Sequence, residues 1–190
     1  MSQREMASTF VSNNLSVTRA FYLHPKILIT ALNGPVIGLT AALIAHSDFI
    51  FCTAASYLLT PFTSLGLVTE GAASKAFVER MGIAKANEAL IMSKRIPADE
   101  LLQAGFVNKI FESSGDAFQK QVLEEIEGRL GGHLNSESLL RVKELIRRPT
   151  RDAMERANVE EVFGGVRRFA SGVPQEEFRR IGSGEKRHKL

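Results

Sequence analysis

The segment that most narrows the possible folds is an apolar run that ends in a tight turn followed by small residues. Residues 26–32 read Lys-Ile-Leu-Ile-Thr-Ala-Leu, and residues 33–35 read Asn-Gly-Pro. A continuous apolar and β-branched run predicts a strand covered on both faces. A helical pattern then runs from about Gly38 to His46. The order strand, turn and helix predicts an α/β (α+β) core.

The rest of the chain divides into a mixed first part and a helical last part. Short strands are predicted at residues 49–52, 57–59 and 107–111, and residues 61–66 are expected to form a loop. Helices are predicted at residues 1–23, 70–80, 84–92, 98–104, 115–130, 136–146, 152–169 and 175–181. We therefore predict a core in residues 1–134 and a helical segment in residues 135–190.

Charge gives little support for a nucleic-acid partner. The 24 Lys and Arg residues are set against 21 acidic residues, so the net charge is only +3. The basic excess lies after residue 135, where it indicates either a solvated helical surface or a contribution to binding an anionic ligand. We predict no nucleic-acid partner.

Cysteine, histidine and hydropathy patterns exclude several kinds of site. The single Cys52 cannot form an internal disulfide, and its apolar surroundings favour a buried thiol over a nucleophile. The four histidines have no metal-ligand spacing, and the chain has no phosphate loop or dinucleotide fingerprint. No stretch is long and apolar enough for a membrane span, and no secretion signal is expected.

Two segments carry residues suited to chemistry. Residues 33–43 join a strand to a helix through small side chains, and such a helix start presents N–H groups to a developing negative charge. Residues alone leave open whether this is an oxyanion hole or an ordinary turn. In the second segment, residues 58–73, Glu70 is either a first-turn helix acid or a catalytic base. A base here should have its pKa raised by desolvation in an apolar pocket.

Both segments resemble the crotonase (enoyl-CoA hydratase/isomerase) superfamily. The family pattern is a buried strand, N-G-x-x-x-G-x-x, a helix and an acid that begins the next strand, here Asp48. The resemblance implies a ββα spiral core with a C-terminal helical segment. It also implies that the backbone N–H of Leu39, next to Gly38, is one oxyanion donor for a thioester oxygen.

The departures from the family pattern indicate an isomerase. Hydratases of the family hold a water with two glutamates, and this chain has Ala42 and Phe62 at those positions. Glu70 stands where isomerases of the fungal peroxisomal Δ3-Δ2-enoyl-CoA type place their single catalytic carboxylate. The resemblance implies conversion of 3-enoyl-CoA to trans-2-enoyl-CoA in fatty-acid β-oxidation. No cofactor is expected, because coenzyme A is part of the substrate.

The resemblance also suggests a substrate pocket and partners. Phe62, Leu65 and Leu67 are candidates for the wall of an acyl pocket, although each also fits an ordinary core position. A homo-oligomer, trimer or hexamer, is expected through the C-terminal helices. The final His188-Lys189-Leu190 is either a frayed basic tail or a variant of the peroxisomal S-K-L address. The second interpretation implies an import receptor and a peroxisomal location.

One family motif has no counterpart in these residues. The A-F-[CS]-x-G-x-D loop, which supplies the other oxyanion N–H, is absent, so we expect an N-terminally truncated core. Loss of one oxyanion donor costs about 100- to 1,000-fold in turnover, so weak activity is expected if this is the whole protein. A non-catalytic crotonase-fold protein that serves as a partner subunit or acyl-CoA binder is the alternative. The preferred acyl chain length stays open.

Overall fold

The computed structural model describes residues 7–187, and its helices and strands alternate in the first two thirds of the chain. The helices are α1 (Ser12–Tyr22), α2 (Leu39–Ile44), α3 (Ala73–Leu90), α4 (Ala98–Gln103), α5 (Gly115–Leu130), α6 (Ser136–Arg147), α7 (Arg151–Ala170) and α8 (Val173–Gly182). The strands are β1 (Ile29–Leu32), β2 (Val36–Ile37), β3 (Phe49–Thr53), β4 (Tyr57–Leu59), β5 (Ile96–Pro97) and β6 (Lys109–Phe111). A π-helical turn (Ala7–Val11) precedes α1, and 3-10 turns lie at Thr63–Leu65 and Arg148–Thr150. The predicted targeting residues His188, Lys189 and Leu190 lie outside the described residues.

The strands form two small sheets. In the first, the order is β1-β3-β6 and both pairings are parallel, with Ile29 opposite Phe49 and Phe51 opposite Lys109. In the second, the order is β2-β4-β5, where β2 runs parallel and β5 antiparallel to β4. Parallel strands need crossover connections, which the helices supply. The α/β class predicted from the sequence is confirmed.

The main core brings α2 close to α3. Ala41 and Ala42 on α2 are fully buried, and their small side chains allow the two helices to approach closely. Phe77 of α3 and Phe106 are also fully buried, and their rings meet edge to face at 5.5 Å. This packing fixes the first turn of α2 relative to the residues that precede α3.

The C-terminal helices lie against the mixed part of the chain. Helix α7 contacts α1 and α3, and α8 contacts the 3-10 turn Thr63–Leu65. Asp48, the residue before β3, pairs with Lys143 at 2.6 Å and Arg147 at 3.1 Å, both on α6. These contacts attach α6 to the first sheet. The boundary between residues 134 and 135 stays a prediction. The role of the C-terminal helices in oligomerisation also stays a prediction.

The start of α3 differs from the prediction. The sequence pattern placed the helix start at Glu70, but α3 begins at Ala73. Gly71 has φ +74° and Ala72 has φ +55°, so neither residue has the backbone of a right-handed helix. Glu70 is therefore not a first-turn acid, and the interpretation based on the helix dipole is wrong.

Two short strands were missed by the pattern. Strands β2 and β5 have only two residues each, and residues 61–66, predicted as a loop, contain a 3-10 turn. Two residues carry no recognisable period, so only the pairing with β4 defines these strands. None of the helices between residues 7 and 187 has the length and hydropathy that a membrane crossing requires.

Candidate active site

The step from Gly38 to Leu39 joins β2 to α2. Gly38 has φ +64° and ψ −134°, a conformation that residues with a Cβ rarely adopt. Its N–H donates to the carbonyl oxygen of Leu59 at 2.9 Å. Leu39 is the first residue of α2, so its N–H has no acceptor within its own helix. Leu39 can thus offer the donor that the sequence predicts, and this role stays a prediction.

Glu70 belongs to a turn that lies directly on the first turn of α2. A Cβ added to Gly71 would be 2.6 Å from Ala42 Cβ and 3.3 Å from Leu39 Cδ1. Only glycine permits this approach together with a positive φ. The turn therefore places the residue next to Glu70 in contact with the residue predicted to supply the oxyanion donor.

The carboxyl group of Glu70 is partly buried and held by one amide. Its Oε2 accepts a hydrogen bond at 2.8 Å from Nδ2 of Asn14, a buried residue of α1. Burial raises the pKa of Glu70, and the Asn14 hydrogen bond opposes that rise by stabilising the anion. A carboxylate with a raised pKa is a stronger base, which suits proton abstraction.

Substitution of Asn14 by Ala tests this arrangement. Without the amide donor, the pKa of Glu70 should rise further. The acidic limb of the pH profile of kcat/KM for the expected isomerisation of 3-enoyl-CoA should therefore move to higher pH. We expect a loss of about tenfold in kcat/KM on the acidic side of neutrality. Steady-state rates across pH measure it, with Asn13→Ala at the exposed neighbouring position as control. An acidic limb at the wild-type pH would contradict the assigned contact.

His46 anchors the turn that carries Glu70. Its Nε2 lies 2.8 Å from the carbonyl oxygen of Gly71, and the side chain is buried. Burial is the main cause that lowers the pKa of His46 to about 4, and Arg147 and Arg80 add to the effect. The Gly71 hydrogen bond opposes this shift. Near neutral pH the imidazole is therefore uncharged and donates Nε2–H to the turn.

The low pKa of His46 predicts a pH dependence of stability. Between about pH 6.5 and 4 the unfolded chain binds a proton that the folded chain excludes, so stability falls as pH decreases through this window. The fall should reach up to about 1.4 kcal/mol for each pH unit. Urea unfolding of wild type and His46→Gln measures it, since glutamine retains a donor but does not titrate. Identical slopes for the two proteins would show that His46 does not contribute.

Glu161 of α7 holds the other end of the same turn. Its Oε1 accepts hydrogen bonds from the backbone N–H of Ser74, at 2.9 Å, and from the Ser74 hydroxyl. Burial raises the pKa of Glu161, and the bonds from Ser74 oppose the rise. The carboxyl thus satisfies a donor at the start of α3. Residues 70–74 are consequently held by side chains from three separate parts of the chain: Asn14 on α1, His46 between α2 and β3, and Glu161 on α7.

The other predicted site residues differ from one another in how far their side chains are exposed to solvent. Phe62 is only 2% exposed and belongs to the main core. Leu67 is half-buried against the same core, and Leu65 is half-buried in the 3-10 turn. Ala42 is fully buried, so a carboxylate at this hydratase position would meet the Gly71 turn. The pocket-wall role of Phe62, Leu65 and Leu67 stays a prediction.

Three residues of the site were not found from the sequence. Asn14 lies 56 positions from Glu70, His46 lies 25 positions from Gly71, and Glu161 lies 87 positions from Ser74. No spacing rule links residues so far apart. Asn14 and Glu161 are polar residues on helices and His46 lies in a turn, so no local sequence pattern signals these contacts. Among residues 7–187, no group of three or more His, Cys, Asp or Glu side chains could hold a metal ion.

The geometry defines a class of protein: an α/β fold in which the turn that carries a partly buried carboxyl group packs on the start of a helix that follows a strand. The family model described as enoyl-CoA hydratase/isomerase matches residues 1–183. The chain belongs to the enoyl-CoA hydratase/isomerase family.

Several relatives support this assignment. The chain is 57% identical to a Delta(3,5)-Delta(2,4)-dienoyl-CoA isomerase of Pyricularia oryzae, over 99% of this chain and 69% of the relative. It is 38% identical to a 3,2-trans-enoyl-CoA isomerase of Saccharomyces cerevisiae, over 96% and 66%. A crystal structure of an enoyl-CoA hydratase/isomerase from Pseudoalteromonas atlantica aligns with TM-score 0.82 and 25% identity, over 91% and 68%. The chain thus spans about two thirds of the length of these proteins.

Proposed function

We propose that this protein shifts the double bond of 3-enoyl-CoA to give trans-2-enoyl-CoA. One observation carries the proposal: the partly buried carboxyl of Glu70, hydrogen-bonded to an amide, belongs to a turn that packs on the helix start at Leu39. A base and an oxyanion donor on adjacent turns are what an enolate intermediate requires.

The reaction needs one proton carrier. The Glu70 carboxylate removes a proton from C2, and the electron pair moves onto the thioester oxygen as the C3–C4 double bond comes into conjugation. The N–H of Leu39 stabilises the resulting dienolate oxygen. The protonated Glu70 then delivers the proton to C4, which leaves the double bond between C2 and C3. Proton and electrons balance within the substrate, so no cofactor is required.

Hydration is disfavoured by the residues at the two positions where hydratases of the family have glutamates. Ala42 and Phe62 are buried and apolar, so neither position can hold a water for addition. Asn14 is the hydrogen-bonding partner of Glu70, and an amide cannot serve as a second base.

A second candidate is the Δ3,5-Δ2,4 isomerisation of a dienoyl-CoA. The name of the 57% identical relative supports it. This reaction delivers the proton to C6, four bonds from C2, so the carrier must reach farther or pass the proton to another acid. The pairing of Glu70 with Asn14, rather than with a second carboxyl group, favours the shorter transfer to C4.

The remaining features of the proposal concern location and assembly. We propose that the substrate is an acyl-CoA of fatty-acid β-oxidation, that His188-Lys189-Leu190 binds a peroxisomal import receptor, and that the chain forms a homo-oligomer, a trimer or hexamer. The mouse relative named Enoyl-CoA delta isomerase 3, peroxisomal, supports the location.

Product analysis of the purified chain tests the proposal. Wild type is incubated with 3-hexenoyl-CoA and, separately, with 3,5-octadienoyl-CoA, and products are resolved by chromatography. Formation of 2-hexenoyl-CoA that Glu70→Gln abolishes supports the proposal. Turnover of the dienoyl substrate alone would favour the second candidate. Acyl-CoA binding without turnover of either substrate would show a non-catalytic member of the family.

A further inference from the structure

The 3-10 turn at residues 63–66 is held from outside by two cationic side chains. Nε of Arg168, at the end of α7, donates to the carbonyl oxygen of Gly66 at 2.7 Å. Nζ of Lys186, just after α8, donates to the carbonyl oxygen of Ser64 at 2.6 Å. Hydrogen bonds from charged donors are stronger than neutral ones, so both contacts restrain the turn.

Close packing accompanies these hydrogen bonds. Gly66 has φ +69°, and a Cβ there would lie 2.8 Å from Val173 Cγ1 and 3.4 Å from Glu177 Cγ. Lys186 also pairs with Glu177, which fixes its ammonium group above the turn. Helix α8 is therefore in direct contact with the backbone of the turn.

The turn connects the side chains that are predicted to surround the acyl chain. Phe62 precedes it and is anchored in the core, whereas Leu65 and Leu67 are only half-buried. On the other side, the Thr63 hydroxyl donates to the carbonyl oxygen of Ile91 at 2.8 Å. The side chain at the start of the turn is thus held by the end of α3, and the carbonyl groups of Ser64 and Gly66 in its later part are held by Lys186 and Arg168.

We infer that Arg168 and Lys186 are positioning residues that set the acyl-chain specificity of the site by fixing the turn at residues 63–66. This inference rests on the proposed function. Both cations donate hydrogen bonds to backbone carbonyls of the turn, so their effect would reach the substrate through the placement of Leu65 and Leu67. A long acyl chain that contacts these side chains depends on that placement, and a short one does not.

Acyl-CoA binding by calorimetry tests the inference. The double variant Arg168→Met and Lys186→Met should bind dodecanoyl-CoA about five- to tenfold more weakly, with hexanoyl-CoA affinity within about twofold of wild type. Hydrogen exchange of peptides covering residues 62–70 should become faster. Arg179→Met is the matched control, because Arg179 lies on α8 and pairs with the exposed carboxylates of Glu176 and Glu185. The single variant Lys186→Arg, which keeps a cationic donor, should have the wild-type ratio of dodecanoyl-CoA to hexanoyl-CoA affinity.

Each other outcome has a defined meaning. An unchanged ratio of dodecanoyl to hexanoyl affinity, or an equal loss for both ligands, overturns the inference while leaving the proposed function intact. Wild type that neither binds nor converts acyl-CoA overturns the proposed function and this inference with it. If the double variant does not fold, Lys186→Met alone removes one of the two contacts, and the same comparison of ratios applies.

Discussion

Substitution of Glu70 by Gln is expected to lower kcat for 3-enoyl-CoA isomerisation by about 100- to 10,000-fold. Glutamine has nearly the same shape, and its amide oxygen can still accept the hydrogen bond from Asn14. What it lacks is the ability to take a proton from C2 and return it to C4. Initial rates with 3-hexenoyl-CoA, alongside circular dichroism to verify folding, measure the effect.

The matched control for this substitution is Glu79→Gln. Glu79 lies on α3 and pairs with Lys75 at 3.0 Å near the surface, so its loss should change stability by less than about 1 kcal/mol and leave kcat unaffected. Equal rates for wild type and Glu70→Gln would remove Glu70 from the mechanism. A similar loss in both variants would indicate a general effect of acidic residues on folding.

The same substitution should make the fold more stable at neutral pH. Because burial raises the pKa of Glu70 above its unfolded value, the folded chain holds this proton more tightly than the unfolded chain. Its contribution to stability is present at low pH and is lost as pH rises through the folded pKa. Glu70→Gln avoids that loss. Its advantage in the free energy of unfolding should therefore shrink as the solution is acidified.

Substitution of Gly71 by Ala is expected to damage stability and activity together. The new Cβ would lie 2.6 Å from Ala42 Cβ and 3.3 Å from Leu39 Cδ1, and φ is +74°. Overpacking and the left-handed backbone should together cost about 2 to 4 kcal/mol. Relief of the clash must move the turn relative to α2, and the adjacent Glu70 moves with it. Such a displacement should lower kcat by about 10- to 100-fold.

Gly172→Ala separates backbone strain from the clash. Gly172 has the same φ of +74°, but nothing lies within 4 Å of its added Cβ. The Gly172→Ala substitution should therefore lower the free energy of unfolding by only about 1 to 2 kcal/mol and leave kcat unchanged. Chemical unfolding and steady-state kinetics of both variants provide the comparison. A Gly71→Ala protein as stable and active as Gly172→Ala would show that the turn is not packed on α2 as described.

The turn from Glu70 to Ser74 combines two residues with positive φ, a desolvated carboxyl and three outside hydrogen-bonding partners. Each feature except the partners costs stability, and the partners offset that cost. Strained and desolvated groups of this kind persist where the surrounding structure fixes them.

Much of the fold could be predicted from local sequence. The strand at residues 26–32, its turn and the helix after Gly38 follow from apolar runs and turn residues, and β1 and α2 lie within those predictions. The break at Gly82 also follows from sequence, since this glycine interrupts α3 with φ +75°. The helix start near Glu70 was wrong because Ala72, a good helix former, adopts a left-handed backbone that only its packed surroundings impose.

The sequence by itself determined which side chains are available for chemistry. It has Glu70 in the second motif and apolar residues at positions 42 and 62, and these residue types do not depend on how the chain folds. Only the tertiary structure decided how Glu70 behaves. Its raised pKa comes from burial, and its partner Asn14 and the anchors His46 and Glu161 come from distant parts of the chain. Desolvation and long-range hydrogen bonds depend on which surfaces meet, and that depends on the packing of the whole chain.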